Sequence, residues 1–215
     1  MSSIIERYNK IKLIINSQKQ QRPINLVAVS KTFPIQHIKP LIDIGHDHFG
    51  ENKVQEAISK WSEVKKEKKI NLHMVGKLQS NKAKAAAKIF DYIHSLDSQK
   101  VADILSSCEK NNNRSLKYFI QVNVGNESQK SGLPINEVEG FYNYCKIEKK
   151  LNVLGLMIIP PNDDNTLKYF KTLNELNASL GLKDLSMGMS ADYLDAINNG
   201  STYLRIGSLI FGERS

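Results

Sequence analysis

Residues 26–31 read Leu26-Val27-Ala28-Val29-Ser30-Lys31 and run into Thr32-Phe33-Pro34. A short apolar, β-branched run that stops at a turn signal is a strand, and near-continuous hydrophobicity marks one covered on both faces, as in a parallel sheet. Its last residue is out of character. An ammonium at the carboxyl end of a buried strand must reach water, find a counter-charge or be kept neutral for chemistry. Many strands finish on a charged residue that simply reaches solvent, and these six residues alone leave that reading open.

The same grammar repeats on both sides. Ile4, Tyr8, Ile11 and Ile15 share one face of a first helix. After the strand Leu26 to Ser30, a helix from Pro34 to Ile44 stops at Gly45. Further strands are expected at 48–51, 72–76, 92–96, 118–124, 153–159, 185–189 and 203–206. The helices between them are expected at 52–68, at 80–90, from Asp97-Ser98 onward, and at 134–148, 163–180 and 191–198. Glu109 to Arg114 reads as a polar surface loop. Eight strands alternating with helices imply βαβ units and a parallel sheet. They suit a single-domain (β/α)8 TIM barrel over residues 1–215, small for a class that starts at about 200 residues. A doubly wound open sheet is the alternative, but its G-x-G-x-x-G fingerprint is absent.

With 215 residues, 40% of them hydrophobic, the chain can bury a real core. No run of 18 apolar residues exists, and Glu6, Arg7, Lys10 and Lys12 interrupt any signal-peptide core, so neither a membrane span nor secretion is expected. A mitochondrial presequence is the weaker alternative for the first helix. Cys108 and Cys145 are too few for a disulfide framework and fit a reducing, cytoplasmic compartment. The net charge of +8 invites a nucleic-acid reading, yet the lysines are spread over nearly every helix. The densest cluster, Lys65 to Lys69, ends a helix where cations suit the macrodipole, so no nucleic-acid partner is expected.

In a barrel, function gathers at the carboxyl ends of the strands. Lys31, Asn52, Gly76, Lys77, Ser190 and the run Arg205-Ile206-Gly207-Ser208 all fall there. Barrels commonly hold a phosphate with the loops after strands seven and eight, and Ser186-Met187-Gly188-Met189-Ser190 and Gly207-Ser208 have the small residues that such a site needs. The same residues could merely cap helices. Gly45 to Asn52 has P-loop glycine spacing without the required lysine, and Gly188 to Asp192 lacks the second glycine of a nucleophile elbow. The five histidines show no metal-ligand spacing and read as surface or satisfied core residues.

Taken together, Val27-Ala28-Val29-Ser30-Lys31, His48-Phe49-Gly50-Glu51-Asn52, His73-Met74-Val75-Gly76 with Leu78-Gln79-Ser80-Asn81-Lys82, Lys130-Ser131-Gly132, Leu185 to Ser190 with Asp192, and Arg205-Ile206-Gly207 with Phe211-Gly212 resemble the pyridoxal phosphate homeostasis proteins, the YggS or PROSC family. The resemblance implies an alanine racemase N-terminal-domain-like barrel with pyridoxal 5'-phosphate held as an imine on Lys31. It implies that Ser190, Gly207 and Ser208 meet the phosphate, that Arg205 lies at the pyridine nitrogen, and that Asn52 and His73 lie near the ring. A permanently charged arginine leaves that nitrogen unprotonated and the electron sink weak. Desolvation, or Arg205 close by, is expected to lower the Lys31 ammonium toward about 7 to 8 and so raise the reactive fraction.

Two function classes follow. One is a noncatalytic carrier for pyridoxal phosphate homeostasis, with pyridoxal-phosphate-dependent apo-enzymes as recipients. The other is an amino-acid racemase or decarboxylase. Racemases of similar barrel use a second, β-rich domain whose tyrosine acts as opposing acid/base, and this sequence ends at Phe211-Gly212-Glu213-Arg214-Ser215, which favours the carrier.

Overall fold

The computed structural model describes residues 3–18, 22–125, 127 and 130–212; Glu213, Arg214 and Ser215 lie outside the described residues. Eight strands close into one barrel in chain order: β1 (Asn25–Val29), β2 (His48–Glu51), β3 (Asn71–Met74), β4 (Tyr92–Leu96), β5 (Lys117–Gln121), β6 (Asn152–Met157), β7 (Asp184–Ser186) and β8 (Tyr203–Ile206). Every neighbouring pair is parallel, including the closing pair β1 and β8, where Val27 stands opposite Arg205. A parallel pair needs a crossover, and helices supply it. The barrel is the expected fold, and the open sheet is excluded.

The described α-helices are α1 (Ile4–Ser17), α2 (Ile35–Asp43), α3 (Val54–Trp61), α4 (Val64–Glu67), α5 (Ala83–Ile89), α6 (Gln99–Asn112), α7 (Ile135–Asn143), α8 (Thr166–Ser179), α9 (Tyr193–Asn198) and α10 (Ser208–Phe211), with a 3-10 turn at Ser80–Lys82 leading into α5 and a π-helical turn at Tyr144–Glu148 continuing α7. Their boundaries follow local chemistry. A capping box joins Ser3 and Glu6 at the start of α1, and Ser98 accepts from the Val101 N–H at the start of α6. Two expectations are corrected. The single helix expected over 52–68 is two, because the Ser62 hydroxyl bonds the Ile58 carbonyl at 2.6 Å and the chain bends before α4. The loop expected over 109–114 is the last turn of α6, ended by Asn113 in the left-handed conformation at φ 47°. Glu109 faces inward there, accepting from the Leu116 N–H and the Tyr118 hydroxyl.

The main core lies between the strands' outer faces and the helices, with Phe49, Trp61, Leu72, Phe90 and Phe170 fully buried. Inside the barrel a smaller apolar group, Val27, Tyr92, Phe119, Met157 and Tyr203, shares the space with polar side chains. Since side chains alternate along a strand, the inward parity of β1 runs Val27, Val29 and then Lys31 just past the strand end. That parity aims the lysine at the barrel mouth.

Candidate functional site

Past β1 the chain turns sharply, with Phe33 N–H donating to the Ser30 carbonyl at 3.2 Å and Thr32 in the left-handed region at φ 71°. A β-branched residue there is strained by about 1 to 3 kcal/mol, so something must hold it. The holder is a charged cluster under the turn. Lys60 Nζ donates to the Ser30 carbonyl, to Glu51 Oε1 and to Glu56 Oε1, each at 2.9 Å, and Glu56 Oε1 accepts the Thr32 N–H. The peptide groups on either side of Lys31 are thus fixed from outside the barrel. Glu51 Oε1 also accepts from Ser30 Oγ at 2.8 Å and Trp61 Nε1 at 3.0 Å, while its Oε2 is buried without a hydrogen-bond partner. Burial pushes the Glu51 carboxyl up, against the pull of the Trp61, Lys60 and Ser30 donors. Glu56 lies lower than an ordinary glutamate: partial burial works against this, but Lys60 and the Thr32 N–H outweigh it.

At the carboxyl ends of β1, β2, β7 and β8 lies a cavity of about 530 Å³. Lys31, Asn52, Ser190, Arg205, Gly207 and Ser208 line it, with Val29, Phe33, Val75, Ile159 and Met189 as apolar walls. Six of the seven residues expected at the site therefore meet around one space. The backbone needs glycine at two places, one just behind the rim and one on it. Gly188 has φ 95°, and a Cβ there would stand 2.6 Å from the Ala196 Cβ; a Cβ on Gly207 would stand 3.2 Å from the Val29 carbonyl oxygen. Between them Ser190 Oγ accepts from the Leu209 N–H at 3.4 Å.

Arg205 is 4% exposed. Its Nη1 donates to Ser186 Oγ at 2.6 Å and its Nη2 to the Ile158 carbonyl at 2.7 Å, and its own N–H bonds Gly188 O at 2.9 Å. Burial brings the guanidinium down to about 10, against the attraction of Asp192, which leaves a cation at neutral pH. His73 stands apart. It is fully buried inside the barrel and does not line the cavity, because its place on β3 is opposite Gly50, below the mouth. It belongs to a line of histidines: His48 Nδ1 to His73 Nε2 at 2.8 Å, His73 Nδ1 to His94 Nε2 at 2.8 Å, and His94 Nδ1 to Ser186 Oγ at 2.7 Å. The expected contact of His73 with a bound ring thus gives way to an indirect link through His94, Ser186 and Arg205.

The sequence reading missed Glu51, Glu56 and Lys60, although the Glu56 and Lys60 spacing of four on α3 carried the signal for one pair. It also missed the apolar walls Phe33, Ile159 and Met189. Ile159 and Met189 read as the last residues of expected strands, and nothing in the sequence marks Phe33 as a wall.

The chain matches the alanine racemase N-terminal domain family over residues 4–215. It is 36% identical over 223 residues to the pyridoxal phosphate homeostasis protein of Aquifex aeolicus, covering 100% of this chain and 96% of that protein. To the protein of the same name from Vibrio cholerae it is 37% identical over 230 residues, covering 100% and 98%. The chain belongs to the pyridoxal phosphate homeostasis protein family. Among solved structures of like fold is PipY of Synechococcus elongatus with pyridoxal phosphate bound, at TM-score 0.87 and 33% identity, covering 98% of this chain and 100% of that one. Alanine racemase of Clostridium difficile, at TM-score 0.77 and 14% identity, shares the barrel alone, and the match covers 57% of that chain.

Proposed function

We propose that this homeostasis-family protein binds pyridoxal 5'-phosphate covalently through Lys31 and keeps it available in the cytoplasm without turning over amino acids. One observation carries the reading: a lysine, a buried arginine and a rim of serine and glycine line a single cavity. The residues fit the group. Gly207 lines the cavity with bare backbone, the Ser190 and Ser208 hydroxyls and the rim N–H groups suit a phosphate, and the apolar walls suit a ring. When bound, the cofactor supplies an aldehyde that condenses with a neutral amine, releasing water, and a ring that withdraws electrons. Lys31 Nζ supplies the amine. Arg205, charged and donating, would keep a ring nitrogen placed beside it as an acceptor and so limit electron withdrawal.

The noncatalytic part rests on the proton inventory of the cavity. Racemisation needs an acid and a base on opposite faces of the substrate carbon. Among the described residues lining the cavity, Lys31 and Arg205 are the titratable side chains, and an arginine does not exchange protons readily near neutral pH. Recipients would be apo-enzymes that use the same cofactor. The cytoplasmic assignment is supported by the free thiols Cys108 and Cys145. No helix among the described residues is long and apolar enough to cross a membrane.

The test is borohydride reduction of protein loaded with pyridoxal phosphate, followed by peptide mapping. The label is expected on the Lys31 peptide and absent from Lys31→Ala; a label on Lys77 or Lys82 overturns the assignment. Loaded protein incubated with single amino acids in deuterated water should show no inversion, and inversion at about 1 per second or faster would make it an enzyme.

A further inference from the structure

The barrel interior holds a polar construction that the cavity chemistry does not use. His48, His73, His94 and Ser186, from β2, β3, β4 and β7, run in one hydrogen-bonded line from the amino-terminal side of the barrel to Arg205. His73, His94 and Ser186 have no exposed surface. The rings are clamped by aromatics: Tyr92 stacks on His73 at 4.1 Å between centroids, and Phe119 on His94 at 4.5 Å.

The line has a direction, and Arg205 sets it. A guanidinium only donates, so Ser186 Oγ accepts from Nη1. Ser186 Oγ has one further partner among the described residues, His94 Nδ1, and its own O–H must go there. His94 then accepts on Nδ1 and carries its proton on Nε2, which donates to His73 Nδ1. By the same step His73 Nε2–H donates to His48 Nδ1. The last N–H, on His48 Nε2, faces Asp47, with Oδ1 at 3.9 Å. Asn71 Nδ2 gives one of its two hydrogens to Asp47 Oδ2 at 3.0 Å and stands 3.5 Å from that nitrogen, the longer of its two contacts. The opposite sense would have Ser186 accept twice and leave a buried O–H unpaired, which costs more than a hydrogen bond returns. An added proton is disfavoured as well. It would put an imidazolium one hydroxyl away from a guanidinium, with Lys117, bonded to Tyr92 at 2.8 Å, as a further cation nearby.

We propose that His48, His73 and His94, each neutral with its proton on Nε2, form with Ser186 a positioning line that fixes the Arg205 guanidinium at the floor of the cavity. Two of the arginine's N–H groups are engaged by Ser186 and Ile158, which orients the plane of the others. No carboxylate among the described residues pairs with Arg205. A neutral anchor leaves the full positive charge facing the cavity, where a carboxylate would cancel it. That use of Arg205 rests on the cofactor reading above; the tautomers and the anchoring do not.

Long-range ¹H–¹⁵N correlation on cofactor-free protein reads each histidine. The Nε2–H form is expected for all three at pH 7.5, and an Nδ1–H form or an imidazolium at His94 overturns the line. In the same sample the Arg205 Nη signals should be resolved by slow rotation. They should coalesce in Ser186→Ala and stay resolved in Ser186→Thr, which keeps the hydroxyl; unchanged signals in Ser186→Ala overturn the anchoring. With pyridoxal phosphate added, Ser186→Ala should weaken binding about tenfold and move the absorption maximum, with Ser186→Thr within about twofold of wild type. If the wild type takes up no cofactor, the cavity reading falls while the resonance data still judge the line.

Discussion

The two cations of the cavity are held by opposite means. Lys31 sits on a strained turn clamped from outside the barrel wall by charges, with Lys60 and Glu56 gripping the peptides on either side and Glu51 holding Lys60 and the Ser30 hydroxyl. Arg205 sits inside the barrel and is held by neutral groups, a serine, a carbonyl and three histidines in series. The difference follows from access to water. The Glu56 side chain is 25% exposed, so the outer cluster can afford net ionisation, whereas the interior groups His73, His94 and Ser186 are sealed. It also suits the role proposed above for each cation. A nucleophilic lysine has to be presented while its ammonium can still lose a proton, and an arginine serving as a fixed charge must not be neutralised.

The sharpest way to break this contrast is pH. His73 and His94 are held far below their ordinary value, burial first and then neighbouring cations and histidines, and burial holds His46 at about 4. Below pH 6.5 the unfolded chain binds protons that the folded one refuses, so stability falls as pH falls. Each histidine that stays neutral costs about 1.4 kcal/mol between pH 7.5 and 5.5, about 4 kcal/mol for the three. The outer cluster behaves otherwise in that window. Glu56, with a lowered value, loses its contribution only under more acid conditions, and Glu51, with a raised value, contributes in the opposite sense, losing stability as pH rises. Urea unfolding at the two pH values measures the sum, and a flat profile would mean that these buried histidines charge freely.

Next in size is Lys60→Met. It leaves Glu51, fully buried, without its counter-charge, and such a break costs about 3 kcal/mol or more. Adding Glu51→Leu should return most of the loss, because an apolar pair of similar volume is often no worse than a buried ion pair. Chemical denaturation of the three variants decides it. A loss below about 1 kcal/mol for Lys60→Met would show the outer clamp to be ornamental.

The sequence made the contrast only half legible. The bounds of β2, β4 and β8 are those expected. Five strands begin earlier than the apolar pattern suggests, because each opens on a polar residue: Asn25, Asn71, Lys117, Asn152 and Asp184. A periodicity reading starts at the first hydrophobic side chain, whereas backbone pairing needs none. At least two of these residues have partners of their own, Asn71 on Asp47 and Lys117 on Tyr92. The cavity residues were found because strand ends concentrate function in a barrel and because a family pattern ran through them. The histidine line was not. His94 meets Ser186 across 92 residues of sequence and two intervening strands, a proximity that only barrel closure creates.

A smaller effect is expected at the rim. Ser190→Ala and Gly207→Val should weaken retention of pyridoxal phosphate by about tenfold while affecting unphosphorylated pyridoxal less, since both act where the phosphate is proposed to lie. Fluorescence titration with the two ligands separates them. Equal losses would place the phosphate elsewhere and leave Arg205, rather than the rim, as the anion's partner.

The smallest stability change separates clamping from charge on the Lys31 side. Glu56→Gln keeps an oxygen able to accept the Thr32 N–H but removes the ionic partner of Lys60, whose nitrogen still reaches Glu51 and the Ser30 carbonyl. The pair is partly exposed at Glu56, so its loss should cost no more than about 1 kcal/mol. The turn, however, is strained at Thr32, and a weaker grip lets it relax and widens the range of positions open to Lys31 Nζ. Loading with pyridoxal phosphate, followed by stopped-flow absorbance, should therefore slow severalfold while the unfolding midpoint barely moves. Glu56→Ala, which also removes the acceptor for Thr32, should slow it further. If both variants load at the wild-type rate, the charges beneath the turn serve folding alone, and the two cations differ in how they are buried without differing in how they are positioned.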